Sequence, residues 1–436
     1  MTTAALRFAT ELGQDSNVFE HIPYSVHLTP TVVGTHNRDY IMVMRVAGVS
    51  FESADDDQVN NWHARLNILL RGLSSPHLAI WKHLIRREVK DYPQRELPPG
   101  FARELDEEYA ARMNDELLYL NEIYLTIVYR PQTSKVGKVL FSLVGAADAE
   151  ALKKERADSL EAIEKAASTL EASLRRYDPE RLGAYSHNGM LCSETKEYFG
   201  FLLSGEWKRM PLTRSPINRT VMTARPIFGR ETIETRRSTT TEFSAMLGIM
   251  DYPAETMPGF LNSLLTVPFE FVLTQSFQFS SKQAAKYGLK TARNRKSNAQ
   301  DDAESQVEEI KDALDELQSN KFVMGGHHFS LHVKARVPMP ADDQARKQAL
   351  DDLAENLAIA EAALADGGIT VAREDLALEA AFYAQLPANF DYRPRVSPIT
   401  SKNFAGFSPM HNFPTGRKSG NHWGEALMML ITVCAD

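Results

Sequence analysis

The sequence predicts an α/β protein of the α+β kind, made of two related split β-α-β (ferredoxin-like) modules with long helices added. Three observations lead there. Strand-like and helix-like stretches alternate along the chain. The same order of strand, helix and strand occurs near the start and again after residue 222. A short string repeats on the crossover of each copy: Leu66-Asn67-Ile68-Leu69-Leu70 and Leu261-Asn262-Ser263-Leu264-Leu265.

In the first copy, Tyr40 to Val46 reads as a strand. A helix from about Asp57 carries Val59, Trp62, Leu66, Leu69 and Leu70 at helical spacing. The acidic cluster Asp55-Asp56-Asp57 suits the positive end of that helix. Leu78 to Val89 is a second strand. A helix with Leu105, Tyr109, Met113 and Leu117 follows. Ile123 to Tyr129, β-branched and aromatic, is a third strand. Between the copies, Asp148 to Tyr177 is charged and Ala-rich, with Leu160, Ile163, Ala167, Leu170 and Leu174 on one helical stripe. That stripe serves either its own domain or a partner subunit.

In the second copy, Glu242 to Met250 is a strand. Phe260, Leu261, Leu264 and Leu265 suggest a helix, and Phe269 to Phe277 a strand. A long helical region, a strand from Phe322 to Val337 and a helix with Leu350, Leu353, Leu357 and Leu364 complete it. The expected division is 1–146 for the first module, 147–222 for a helical connector, 223–385 for the second module with a long helical insertion, and 386–436 for an ordered linker.

Composition narrows the function. A chain of 436 residues with net charge −8 is no general nucleic-acid coat and has no pull toward anionic lipid. Two cysteines, Cys192 and Cys434, suit a reducing cytosol and give no disulfide framework. No uninterrupted apolar run approaches the roughly 20 residues of a membrane span.

Candidate chemistry is sparse. Gly416-Arg417-Lys418-Ser419 resembles the end of a phosphate-binding loop, but Arg417 and Asn412 stand where that loop needs glycine. His327, His328 and His332 lie close together. On a strand, however, His328 and His332 sit roughly 13 Å apart, and His328, Ser330 and His332 read most simply as a polar strand face. Lys282, Lys286, Lys290 and Arg293 form a basic helical stripe suited to phosphate, DNA or an acidic partner. An acidic run from Asp301 to Glu316 follows, so a helical hairpin or long helix with solvated, mutually paired charges is the simplest reading. No hydrolytic constellation stands out, so the chain is expected to hold no catalytic, cofactor or metal residues.

The densest signal lies near the end. Gln385, Pro387 and Asn389 are followed by Asn403 and Phe404, then His411, Asn412 and Phe413, then Gly416, Gly420, Asn421, Trp423 and Gly424. Asn and Gly hold tight irregular backbone, and the aromatics would pin it to a surface. The chain then runs into an apolar strand-like stretch, Ala426 to Val433, which reads as a cut at a domain boundary.

These motifs resemble the type IV secretion and conjugation ATPases of the CagE/TrbE/VirB class. In that family Ala-Gln-Leu-Pro-x-Asn, Ser-x-Asn-Phe, His-Asn-Phe and Gly-Asn-x-Trp-Gly close the N-terminal domain ahead of the phosphate-binding loop. Here His422 stands where the family's pattern expects proline. Leu69 to Ser75, Leu118 to Pro131, Glu270 to Thr274 and Phe322 to Gly325 fit the same resemblance.

The resemblance implies an assembly and docking domain, with 386–436 leading to an absent ATPase domain. It implies ATP and magnesium in the full-length protein and none in this chain. It also implies contacts with inner-membrane subunits and self-association as a hexamer or hexamer of dimers. The location implied is the bacterial cytoplasm, peripheral on the inner membrane through partner proteins. The alternative is a stand-alone nucleic-acid-binding protein using the basic helix at 282–296.

Overall fold

The computed structural model describes residues 18–89, 99–115, 118–131, 149–253, 255–298 and 304–413. In the first module, β1 (Tyr24–His27) and β2 (Val32–Thr35) form a hairpin that leads into β3 (Tyr40–Val46). Helix α1 (Asp56–Gly72) starts where the acidic cluster predicts, with the Asp55 carboxylate accepting from the Gln58 amide at 2.8 Å. Next come β4 (Leu78–Val89), α2 (Phe101–Asp115), β5 (Leu118–Tyr129), α3 (Ala149–Ser173) and β6 (Pro179–Arg181).

A second hairpin, β7 (Ala184–His187) with β8 (Met190–Ser193), and helix α4 (Glu194–Ser204) follow. The second module repeats the first. Hairpin β9 (Arg225–Phe228) and β10 (Ile233–Arg236) leads into β11 (Thr240–Asp251) and β12 (Phe271–Phe279). Helices α5 (Lys282–Asn298) and α6 (Glu304–Gln318), strand β13 (Met324–Pro338), helix α7 (Asp343–Asp366) and β14 (Thr370–Arg373) complete it. The closing segment holds α8 (Leu378–Ala384), β15 (Ser397–Thr400) and α9 (Ser401–Phe407).

Strand pairing explains the repeat. Both β3 and β4 run antiparallel to β5, so they are parallel to each other with β5 between them. Strands β11 and β12 flank β13 in the same way. The short fourth strands β6 and β14 add to β3 and β11, so each module is a full ferredoxin-like unit. The two units join edge to edge through β4 and β12, which pair antiparallel from Ala79↔Gln278 to Arg86↔Phe271. One continuous sheet results, ordered β1-β2-β3-β5-β4-β12-β13-β11-β10-β9. Pairing the two inner edges removes two strand edges that would otherwise be exposed.

Alternation along the strands splits the core. Met42, Met44 and Val46 face one layer, and Ile41 and Val43 the other. The first layer is covered by α1, α3, α7 and α9, and the second by α4 and α8. The stripe of α3 is buried there through Ile163, Ala167, Leu170 and Leu174, so it packs on its own module.

The helix expected at Phe260 to Leu265 is only a 3-10 turn, Asn262–Leu265. Pro258 and Pro268 confine it, and Gly259 turns the chain at φ +87°. Its leucines still occupy the place of those on α1: Leu66, Leu69 and Leu70 and Leu261, Leu264 and Leu265 all enter the same core. Among the described residues, no helix is long and apolar enough to cross a membrane.

Candidate functional site: a closing segment bound to both modules

The region from Gln385 to Phe413 is laid across the junction of the two modules. Gln385 is fully buried at the end of α8, its Nε2 donating to Phe382 O at 2.9 Å. Its backbone oxygen accepts from His83 Nε2 on β4 at 2.8 Å, and its Oε1 lies 3.2 Å from His332 Nδ1 on β13. One residue therefore bridges the first module's edge strand and the second module's centre. Because a carbonyl only accepts, His83 carries its proton on Nε2, and Tyr198 on α4 donates to Nδ1 at 2.6 Å.

Pro387 is buried beside it, and Ala388 takes the left-handed conformation at φ +73°. Asn389 then donates to His21 O and Tyr383 O, both at 2.9 Å. Arg393 reaches Ser276 Oγ and Gln278 Oε1 on β12.

Helix α9 begins with Thr400, whose Oγ1 caps the Asn403 amide. Phe404 stacks on Phe277 of β12, with centroids 4.7 Å apart. Beyond α9, Gln275 of β12 donates to Phe407 O at 2.8 Å and accepts from Ser408 Oγ at 2.9 Å. Lys82 of β4 donates to Pro409 O at 2.6 Å, and burial lowers its pKa to about 7.

The two repeated strings meet this segment through their asparagines. Asn67 accepts from Ser401 Oγ at 2.6 Å, and Asn262 Oδ1 lies 3.1 Å from His411 Nδ1. His411 stacks on Phe51, which also lies against Phe413. Asn412 donates to Ala47 O at 2.9 Å and Asn121 O at 3.2 Å, and its amide donates to Val49 O at 3.0 Å. Gly48 must be glycine here: a Cβ would lie 2.6 Å from Asn412 Cβ, and its φ is +86°.

Asn412→Ala removes one buried and one partly buried hydrogen bond. The expected loss is about 1–3 kcal/mol of unfolding free energy, read from the urea midpoint. An unchanged midpoint would mean that the segment does not hold the modules at this point.

The structure therefore brings Gln385, Pro387, Asn389, Asn403, Phe404, His411, Asn412 and Phe413 together. Gly416, Gly420, Asn421, Trp423 and Gly424 lie outside the described residues. Sequence reasoning missed His83, Lys82 and Gln275. It named His332 only as part of a polar strand face, and Asn67 and Asn262 only as members of the repeated strings.

The other candidates resolve differently. His328, Ser330 and His332 do share a strand face, but α4 and α8 cover it, so it is buried rather than solvated. His327 turns to the opposite layer, against Phe404, Phe407 and the Tyr252 hydroxyl. Burial lowers His83, His327 and His332 to about 3 and His411 to about 4.

The basic stripe lies on α5. Lys282 is held by Gln318 O and Asn320 Oδ1, while Lys286, Lys290 and Arg293 line the helix beyond it. Of the expected hairpin or long helix, the chain forms the hairpin, α5 with α6. Among the described residues, Glu308 on α6 pairs with Lys311, and Glu316 with Lys321 and Lys402.

Two family models match the chain. Residues 31–136 match the N-terminal domain of the type IV secretion system ATPase VirB4/TrbE, and residues 180–395 match the CagE, TrbE, VirB family, component of type IV transporter system. The chain is 41% identical over 414 residues to the type IV secretion system protein virB4 of Bartonella henselae, covering 95% of this chain and 51% of that protein. It is 34% identical to virB4 of Brucella suis biovar 1, covering 98% of this chain and 51% of the relative. It is also 34% identical to the type IV secretion system protein PtlC of Bordetella pertussis, covering 98% and 50%. The chain thus spans about half the length of the curated relatives it matches. With one model falling on the first module, the other on most of the second, and relatives aligned over 95% or more of its length, the chain belongs to the CagE, TrbE, VirB family of type IV secretion system components.

Proposed function

We propose that residues 1–436 form the assembly and docking part of a type IV secretion ATPase. The observation that carries this reading is the closing segment. Residues 385–413 bond to β4, β12, β13 and the loop after β3, so movement arriving through this segment acts on both modules at once. A continuous sheet with polar ties suits a rigid platform better than a hinge.

In the full-length protein, ATP with magnesium drives pilus biogenesis and the transfer of DNA or protein. The nucleotide chemistry lies outside residues 1–436. The platform meets inner-membrane subunits of the channel, and the whole protein assembles as a hexamer or a hexamer of dimers. It works from the cytoplasmic face, held to the membrane by its partners.

The test is competition. Residues 1–436, expressed in cells that carry a working secretion system of this family, should occupy the docking sites and lower transfer at least tenfold. Inner-membrane subunits should co-purify with them. Unaltered transfer without co-purification would remove the docking role.

A further inference from the structure

A groove of about 470 Å³ opens where the end of α1 faces the start of α5 and the loop after α6. Its size lies within the range of small-molecule sites. Ile68 and Phe322 give it an apolar side. Arg71, Lys282, Ser74 and Ser280 give it a polar one, and none of the described residues lining it is acidic. The Arg71 Nε is buried and has no hydrogen-bond partner.

Gly72 is the second, independent observation. It is the last residue of α1 and lines the groove. Glycine costs about 1 kcal/mol relative to alanine in a helix interior and less at a helix end such as this one. Nothing in the fold requires it: its φ lies outside the left-handed region, the helix cap falls on Leu73 in the right-handed region, and a Cβ at 72 would meet nothing within 4 Å. What the missing side chain provides is open space beside backbone, arginine and lysine. Glycine takes that role where a ligand approaches the main chain closely.

The geometry points to this groove as a binding site for a phosphate-bearing small molecule with an apolar body. Two cations and two hydroxyls match a dianion with several acceptor oxygens. Ile68, an exposed isoleucine, and Phe322 match the apolar body. Lys282 is held in place by Gln318 O and Asn320 Oδ1, so ordering it on binding carries little extra entropic cost.

The probe is 1-naphthyl phosphate, followed by its fluorescence. Saturable binding is expected with a dissociation constant of roughly 0.1–1 mM, with 1-naphthol at least about tenfold weaker and inorganic pyrophosphate competing. Gly72→Leu, which fills the open space, and Arg71→Gln should each weaken binding about tenfold or more. Lys347→Gln, on α7 and away from the groove, should leave it unchanged. A melting curve on each variant reports folding, and Gly72→Leu should melt no lower than the parent. Absence of saturable binding at millimolar probe overturns the assignment. So does equal binding of 1-naphthol, or binding that survives both groove substitutions.

Discussion

Replacing Glu242 by glutamine is expected to destabilise the chain by about 3–5 kcal/mol, although the side chain keeps its shape. Glu242 sits on β11 at the second module's covered face, and its carboxylate is 3% exposed. Arg237 Nη2 lies 2.6 Å away, Arg336 Nε 3.1 Å and Lys334 Nζ 3.8 Å. Burial works against the charged form, but Lys334, Arg237 and Arg336 together outweigh it and hold the carboxyl well below the usual carboxylate range. Arg237 and Lys334 are as buried as Glu242. Glu270 pairs with Arg336 at 2.9 Å and acts on Lys334 less strongly than Glu242 does. The Gln variant leaves two buried cations without their main counter-charge. Urea unfolding at neutral pH measures the effect. A loss below about 1 kcal/mol would show that water or backbone already compensates these cations.

The second large effect is acid sensitivity above the carboxylate range. His83, His327 and His332 are buried and neutral, with pKa values near 3 caused first by desolvation. His328 is displaced in the same direction. In the unfolded chain each binds a proton near pH 6.5. Between about 6.5 and 3 the unfolded state therefore holds more protons, and stability falls as pH falls.

Each such histidine removes about 1.4 kcal/mol per pH unit, or about 2 kcal/mol by pH 5. Three together remove roughly 6 kcal/mol, comparable with the whole stability of an ordinary domain. In the window from 6.5 to 5 they act together with His328 and His411, which burial lowers as well. Glu242 contributes only below its unfolded value near 4.5, and the depressed Lys82 contributes a slope only above about 7. Urea midpoints should drop steeply from pH 7 to 5, and His327→Gln should lower the slope by about one proton. A flat profile over this range contradicts the burial of these rings.

Much of the fold was legible. Tyr40–Val46 and Leu78–Val89 are strands at the limits their composition suggested. The repeated order of elements corresponds to two real modules. The short strands β6 and β14 and the leading hairpins were not visible, because three or four residues carry no period. The crossover at Phe260 had helical spacing, and two prolines overrode it. The β4–β12 pairing that fuses the modules is a tertiary fact without a local signature.

The closing segment stood out by its asparagines and aromatics, and it is ordered as far as the described residues reach. Its partners were hidden for a physical reason. His332 alternates with apolar residues on β13, which reads as a solvated face, while Lys82 and His83 are a polar pair inside an apolar run on β4 and point to opposite layers. Burial of that face depends on α4, α8 and the segment itself.

The measurement that tests the central claim most directly is ATP hydrolysis with magnesium, assayed side by side on residues 1–436 and on the full-length protein that contains them. The account predicts turnover by the full-length protein and none by residues 1–436. Turnover by residues 1–436 alone would contradict it and place nucleotide chemistry within these two modules.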